Sequence, residues 1–273
     1  MDGHGEFGHL VAQFVKDKLP LCLDAEEELR KNPTNAILNS MRNLTYQLQQ
    51  ESKTIDATFS GSTSVFGLQV DNVLYVANLG DSRCVLCRMR QRRSAGVYSI
   101  RLSRDHKPSN PEEKERIVKA GGRVESPSAM GWGFEDDGKA LPARLWMQDE
   151  DLPGLSVSRA VGDLSSHPIG LSAVPEIMEQ ELTDRSTTSS DLFAIWASDG
   201  VWEFLSDDEA VSLIYENRKD LKQAVHKLVQ NASRRWKAKE EDYIDDITCV
   251  VAAFRSLADL PDLPTPIPEG SEK

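Results

Sequence analysis

A chain of 273 residues with 39% hydrophobic content can bury a core of ordinary size, and nothing in its middle reads as a linker, so one domain over residues 1–255 is expected. Forty-four acidic against 32 basic residues leave a net charge of −12, a field that disfavours nucleic acid or an anionic membrane surface as a partner. Four scattered cysteines (Cys22, Cys84, Cys87, Cys249) without a secretory signal exclude a disulfide framework and point to an intracellular protein, cytoplasmic or nuclear, with reduced thiols. No apolar run reaches transmembrane length.

In chain order, the glycine-rich acidic start Asp2-Gly3-His4-Gly5 runs into a helix predicted over His9 to Leu19, from Leu10, Val11, Phe14, Val15 and Leu19, with Pro20 as its stop. Ile37, Met41, Leu44 and Leu48 mark a second helix, capped by Thr34 or Asn35. Strands follow over Ser62–Val70, Val73–Asn78, Ser82–Met89 and Val97–Leu102, read as one antiparallel meander with Asp81 at a turn. Cys84 and Cys87 stand three apart in an alternating strand, so they face opposite sides and make a poor metal pair. Arg88, Arg90, Arg92 and Arg93 read as a solvated hairpin tip or a docking surface. Asn110-Pro111-Glu112-Glu113 has the form of a capping box, and Gly121-Gly122 closes that helix.

From Val124 to Leu155 periodicity fades among Gly131, Trp132, Gly133, Phe134, Asp136, Asp137, Gly138, Pro142 and Trp146, which suits either a functional lid or a surface insertion. Beyond it come the apolar run Leu192–Trp196, a capping box at Ser206–Glu209, a helix written by Leu221, Val225, Leu228, Ala232 and Trp236, and a strand over Ile247–Phe254. Residues 256–273, rich in proline and acids, are predicted to be a disordered tail. The mixture predicts an α+β fold, two antiparallel sheets in a sandwich flanked by helices.

Asp199, in Ala197-Ser198-Asp199-Gly200-Val201-Trp202, ends a buried strand, where a carboxylate is costly unless paired, hydrogen-bonded or holding a metal. Asp-Gly is also a common turn dipeptide. Asp2, Asp81 and Asp245 punctuate other turns and strand ends. If the strand before Asp199 and the one after Asp245 are antiparallel neighbours, those two carboxylates meet, and an oxygen-rich metal site becomes possible.

With these stretches, Ser60-Gly61-Ser62-Thr63, Val76-Ala77-Asn78-Leu79-Gly80-Asp81-Ser82-Arg83, Asp105-His106-Lys107-Pro108, Ser156-Val157-Ser158-Arg159-Ala160-Val161-Gly162-Asp163 and Asp245-Asp246-Ile247-Thr248 occur in one order along the chain. In this the sequence resembles the metal-dependent serine/threonine protein phosphatases of type 2C. The resemblance implies hydrolysis of phosphoserine and phosphothreonine in proteins by a water activated between two divalent cations, Mn2+ or Mg2+. It implies that Asp2 bridges both ions, that the Gly3 carbonyl binds one, and that Asp199 and Asp245 bind the other. His4 is the implied general acid, and Asp81 with Asp199 the implied ligands of a third, weaker ion. Phosphoprotein substrates and a monomer are expected.

The chain also departs from the pattern. Family members carry further strands, an acidic metal-binding pair and a phosphate-holding arginine ahead of Asp2; Glu203 and Asp246 replace an aspartate and an asparagine. The chain is therefore expected either to be an internal piece of a longer phosphatase, with weakened folding and turnover by itself, or to act as an inactive phosphatase-like binding or regulatory module.

Overall fold

The structure, a computed structural model, describes residues 1–90, 96–133, 140–183, 189–240, 243–258 and 260. Its elements begin with β1 (Gly3–His4), α1 (Gly8–Asp24), α2 (Pro33–Gln50), β2 (Gly61–Ser62), β3 (Ser64–Val70), β4 (Val73–Leu79), β5 (Arg83–Arg90) and β6 (Gly96–Arg101). There follow α3 (Pro111–Lys119), β7 (Arg123–Glu125), β8 (Arg144–Trp146), β9 (Pro153–Leu155), β10 (Val161–Gly162) and β11 (Glu176–Glu181). Then come β12 (Ser189–Ala197), α4 (Asp199–Trp202), α5 (Asp207–Glu216), α6 (Leu221–Lys239) and β13 (Cys249–Ala253). By compactness the chain divides into two units: Met1–Arg83 with Ser103–Gln180, and Cys84–Leu102 with the residues from Glu181 onward.

In the first unit, α1 turns Val11, Phe14, Val15, Leu19 and Cys22 toward Met41, Leu44 and Leu48 of α2, and this cluster also takes in Leu79 and Val161. Each such side chain contributes roughly 1.5–3 kcal/mol by leaving water. Pro20 does not end α1, as predicted, but lies inside it. One lost backbone bond is outweighed because continuing to Asp24 buries Cys22. The cap of α2 is Asn32, whose side chain accepts from the Asn35 N–H at 3.1 Å, ahead of Pro33 in the first turn. Asn-Pro was the signal, and Thr34 and Asn35 already lie inside the helix.

The predicted four-strand meander is instead two hairpins in different sheets. Strands β3 and β4 pair antiparallel from Ser64↔Leu79 to Val70↔Val73 around Asp71, which holds φ 52°, and they join β11 in the order β11-β4-β3. Strand β11 escaped the sequence reading because its run, Glu-Ile-Met-Glu-Gln-Glu, is mostly exposed and half acidic. The second hairpin, β5–β6, belongs to the four-stranded sheet of the second unit.

Helix α3 starts at Pro111 as predicted, but its capping box is not made. The Asn110 amide donates to the Asp105 carbonyl, and Glu113 turns inward, 1% exposed, between Arg116 and Arg159. Two guanidiniums outbid one backbone N–H for the carboxylate. Part of the aperiodic stretch forms the small antiparallel sheet β7-β8-β9, where exposed Trp132 packs edge-on to Trp146 at 5.6 Å. Phe134, Asp136, Asp137 and Gly138 lie outside the described residues.

The second unit is the sheet β13-β12-β5-β6, whose apolar face packs on α5 and α6 through Val85, Phe193, Ile195, Ile214, Tyr215 and Leu228. The Ser206–Glu209 capping box is complete. Arg88 is not a solvated tip residue: its guanidinium makes a bidentate pair with buried Asp191 at 2.6 and 3.1 Å. Arg90 lies over the Tyr98 ring at 4.7 Å, and Arg92 and Arg93 lie outside the described residues. The start of the tail predicted to be disordered is packed, since Leu257 and Leu260 join this core and the Arg218 guanidinium donates to the Leu260 carbonyl at 2.6 Å. Residues 261–273 lie outside the described residues. No described helix is long and apolar enough to cross a membrane.

Candidate active site

In the first unit, Gly3 and His4 stand on a three-stranded sheet, β1-β2-β10, of two residues per strand. His4 stands opposite Gly61, and Gly61 opposite Gly162, so His4 and Asp163 flank the same glycine. Across it, His4 Nε2 meets Asp163 Oδ2 at 2.6 Å. A Cβ on Gly61 would overlap the Asp163 carboxylate and come within 2.8 Å of the His4 ring nitrogen. Gly3 is required because a Cβ there would strike the Gly8 backbone, where α1 begins.

Asp2 is fixed through its backbone. Its N–H donates to Thr63 Oγ1 at 3.0 Å, its carbonyl accepts from the Thr63 N–H at 2.9 Å, and the Thr63 hydroxyl lies 2.7 Å from that of Ser82. This places Asp2 near the Gly80-Asp81-Ser82 turn, where Gly80 takes φ 95° and Asp81, 3% exposed, is ion-paired to the Lys107 ammonium. The turn is braced by His106, which accepts the Gly80 N–H at Nδ1 over 3.2 Å and so carries its proton on Nε2 toward Glu176 at 2.9 Å. Burial, then the Arg159 charge, lower the His106 pKa and keep that ring neutral.

Burial alone would also lower the pKa of His4. The Asp163 hydrogen bond and the charges of Asp163, Asp81 and Asp2 outweigh it, and the value is raised above the ordinary 6.5. Beside His4 opens a cavity of about 310 Å3, walled by Gly5, Phe59, Arg144 and the 152–157 stretch.

The second unit holds two further carboxylates named by the sequence, Asp199 and Asp245. Strands β12 and β13 are antiparallel, with Ala197 opposite Cys249, as the strand-end argument required. Beyond that pair the ladder closes through side chain as well as backbone: the Ser198 hydroxyl donates to the Asp246 carbonyl at 2.8 Å and accepts the Thr248 N–H at 3.0 Å. Asp199 opens α4, and Gly200 lies so close to the Asp246 carbonyl that a Cβ would overlap it. Asp199 and Asp245 thus come to one end of this sheet. There burial first, and then the charges of Asp245, Asp199 and Asp246, raise the pKa of Tyr243, whose hydroxyl donates to Asp245 at 3.2 Å.

The predicted residues therefore fall into two sets, Asp2, Gly3, His4 and Asp81 in one unit and Asp199 and Asp245 in the other. Among the described residues no group of three or more His, Cys, Asp or Glu side chains is arranged to hold a metal. The donor chemistry of both sets, carboxylate and carbonyl oxygen without thiolate, fits a hard divalent cation. Asp163 and Arg144 had no role in the sequence reading. A residue other than glycine at φ 48° directly after Gly162 marks Asp163 once the backbone is known; beforehand it stands only as the last residue of the Ser156–Asp163 stretch, with no role given to it.

The Protein phosphatase 2C family model matches residues 1–240. The chain belongs to this family. A probable protein phosphatase 2C 73 of Arabidopsis thaliana is 34% identical over 93% of this phosphatase 2C chain and 69% of the relative. A probable protein phosphatase 2C 64 of Oryza sativa subsp. japonica is 36% identical over 91% and 56%. The chain thus spans between about half and three quarters of such relatives' length. Among solved structures, a serine-threonine phosphatase 2C from Toxoplasma gondii superposes with a TM-score of 0.77 at 23% identity, covering 93% of this chain and 83% of that one, which shows the α+β fold of the family.

Proposed function

We propose that the chain carries a protein phosphatase activity that hydrolyses phosphoserine and phosphothreonine esters with the help of two divalent cations, Mn2+ or Mg2+. The observation that carries this reading is the family match over residues 1–240, within which Asp2, His4, Asp81 and Asp199 all stand, followed by Asp245. On the family's pattern Asp2, the Gly3 carbonyl, Asp199 and Asp245 would hold the ions, and Asp81 would serve a third, weaker one. When bound, such ions neutralise charge on the phosphoryl oxygens and make a water acidic enough to attack near neutral pH.

His4 would protonate the departing serine or threonine oxygen. The Asp163 carboxylate 2.6 Å away favours the protonated ring, and the place of His4 on the cavity wall gives a phosphorylated side chain access to it. Phosphoproteins are the proposed substrates. The test is release of phosphate from a phosphothreonine peptide by the purified chain with Mn2+, with excess chelator, and with Asp199→Asn. Turnover in Mn2+ that vanishes in the other two arms is expected; turnover surviving chelation would overturn the metal-dependent reading.

A further inference from the structure

We propose that Asp163 is the positioning residue for His4, binding Nε2 so that Nδ1 is the ring nitrogen that serves the leaving group. The inference rests on the proposed role of His4 as general acid. Asp163 is 0% exposed, and among the described residues its Oδ1 has no hydrogen-bond partner, so His4 at 2.6 Å is the hydrogen bond its side chain makes. A buried carboxylate so thinly supported is costly and not what a stabilising core position selects.

The backbone is shaped to the same end. Asp163 holds φ 48° and ψ 46°, and its main chain is fixed independently of its side chain, with the N–H on the Ser60 carbonyl at 2.9 Å and the carbonyl accepting from the Ser166 N–H at 2.8 Å. Gly162 before it, at φ 93°, lies where a Cβ would crowd the Ser60 carbonyl, and Gly61 beneath it leaves the gap through which the carboxylate and imidazole meet. One non-glycine residue at positive φ, a glycine turn before it and a glycine gap beneath it thus serve one side-chain contact, and the Asp163 backbone is the kind of strain held at working sites. An imidazole whose one nitrogen is tied to a buried carboxylate keeps a fixed orientation, and the other nitrogen is left for chemistry. The His4 ring lines the cavity described above, which leaves space beside the ring for a substrate.

The experiment compares wild type, Asp163→Asn, His4→Ala and the double variant on two substrates, a phosphothreonine peptide with a poor alkoxide leaving group and p-nitrophenyl phosphate with a good one. Asp163→Asn is expected to lower kcat on the peptide by about 10²-fold with KM little changed. It should cost only a few-fold on the aryl ester, and the double variant should be no slower than His4→Ala. Equal losses on both substrates, or multiplicative losses in the double variant, would overturn the proposal. Nitrogen-15 spectra of the His4 ring, with and without Asp163→Asn, need no turnover: the wild type should show Nε2–H donating to a carboxylate, and that signature should be lost in the variant. Failure of all peptide turnover in wild type would defeat the proposed function, while an unchanged ring spectrum would defeat the Asp163 link by itself. Should Asp163→Asn not fold, a wild-type spectrum lacking the Nε2–H signature overturns the link, and one showing it supports it.

Discussion

Glu113→Gln is the substitution whose cost the structure fixes most closely. Glu113 Oε1 accepts from Arg116 at 2.7 Å and Arg159 at 2.8 Å, and Oε2 from Arg116 at 2.9 Å and the Ser158 hydroxyl at 2.5 Å. The same arginines reach on to the Gly170, Ser158 and Val174 carbonyls, so one carboxylate ties α3 to the segment that leads into β10. Glutamine keeps the volume but leaves two guanidiniums facing a neutral amide. Breaking a buried pair in this way costs about 3–5 kcal/mol, against the roughly 5–15 that hold a domain together. At roughly 2–4 °C per kcal/mol for a chain of this size, a melt followed by circular dichroism should fall by at least about 6 °C. Burial opposes ionisation of Glu113, but the two arginines and Ser158 prevail and hold its pKa well below the ordinary carboxylate range. A depressed folded value means that the stabilisation is fully present above the unfolded pKa of about 4.3 and is lost as the pH falls from there toward the folded value. The gap between wild type and Glu113→Gln should therefore be constant from pH 6 to 8 and narrow by about 1.4 kcal/mol per pH unit below 4.3. A gap under about 1 kcal/mol at pH 7, or one that stays the same between pH 5 and 3, would refute the reasoning.

Other perturbations test the remaining features. Gly61→Ala should separate His4 from Asp163 and reduce phosphopeptide turnover by at least about 10-fold, with a melting temperature within a few degrees of wild type; full activity would show that the gap is not needed. Gly200→Ala pushes a methyl into the Asp246 carbonyl, and should cost about 1–3 kcal/mol in urea unfolding while weakening Mn2+ dependence; an unchanged titration with Mn2+ would detach Gly200 from the Asp199–Asp245 end of the sheet. Cys84 and Cys87 are fully buried, burial alone pushes the Cys84 thiol up, and Cys249 is pushed up to about 12 by the same cause. A thiol reagent at pH 8 should modify Cys84 and Cys87 only on unfolding, and rapid labelling of the native chain would contradict their packing.

Long periodic segments were legible before any coordinates: both N-terminal helices, the strand at 192–196, the Ser206 box and the helix from Leu221. What the sequence concealed has physical causes. Pro20 was read as a stop because propensity is local, whereas the contact that carries the helix past it, Cys22 against α2, is tertiary. Glu113 was assigned to a cap because its two arginine partners are distant or on the helix's inner face. The hairpins were merged into one meander because nothing in Gly80-Asp81-Ser82 tells a turn within a sheet from a passage between sheets. At the site, aspartates announce themselves at turns, whereas the antiparallel pairing of β12 with β13 enters the sequence reading only as a condition and is supplied by the structure. Asp163 stayed hidden because its evidence is a backbone angle and a gap above Gly61.

The alternation of the two units along the chain has a consequence for synthesis. Residues 84–102 emerge from the ribosome nearly ninety residues before β12, which takes its place beside β5 in the finished sheet. Until then the nascent hairpin carries an unpaired β5 edge and an uncovered apolar face of Val85, Cys87 and Met89, which together invite wrong pairing. Slow, chaperone-assisted maturation and a poor tolerance for splitting the gene into separately expressed halves are the expected marks of such interleaving, and pulse-chase protease protection on stalled chains would display both.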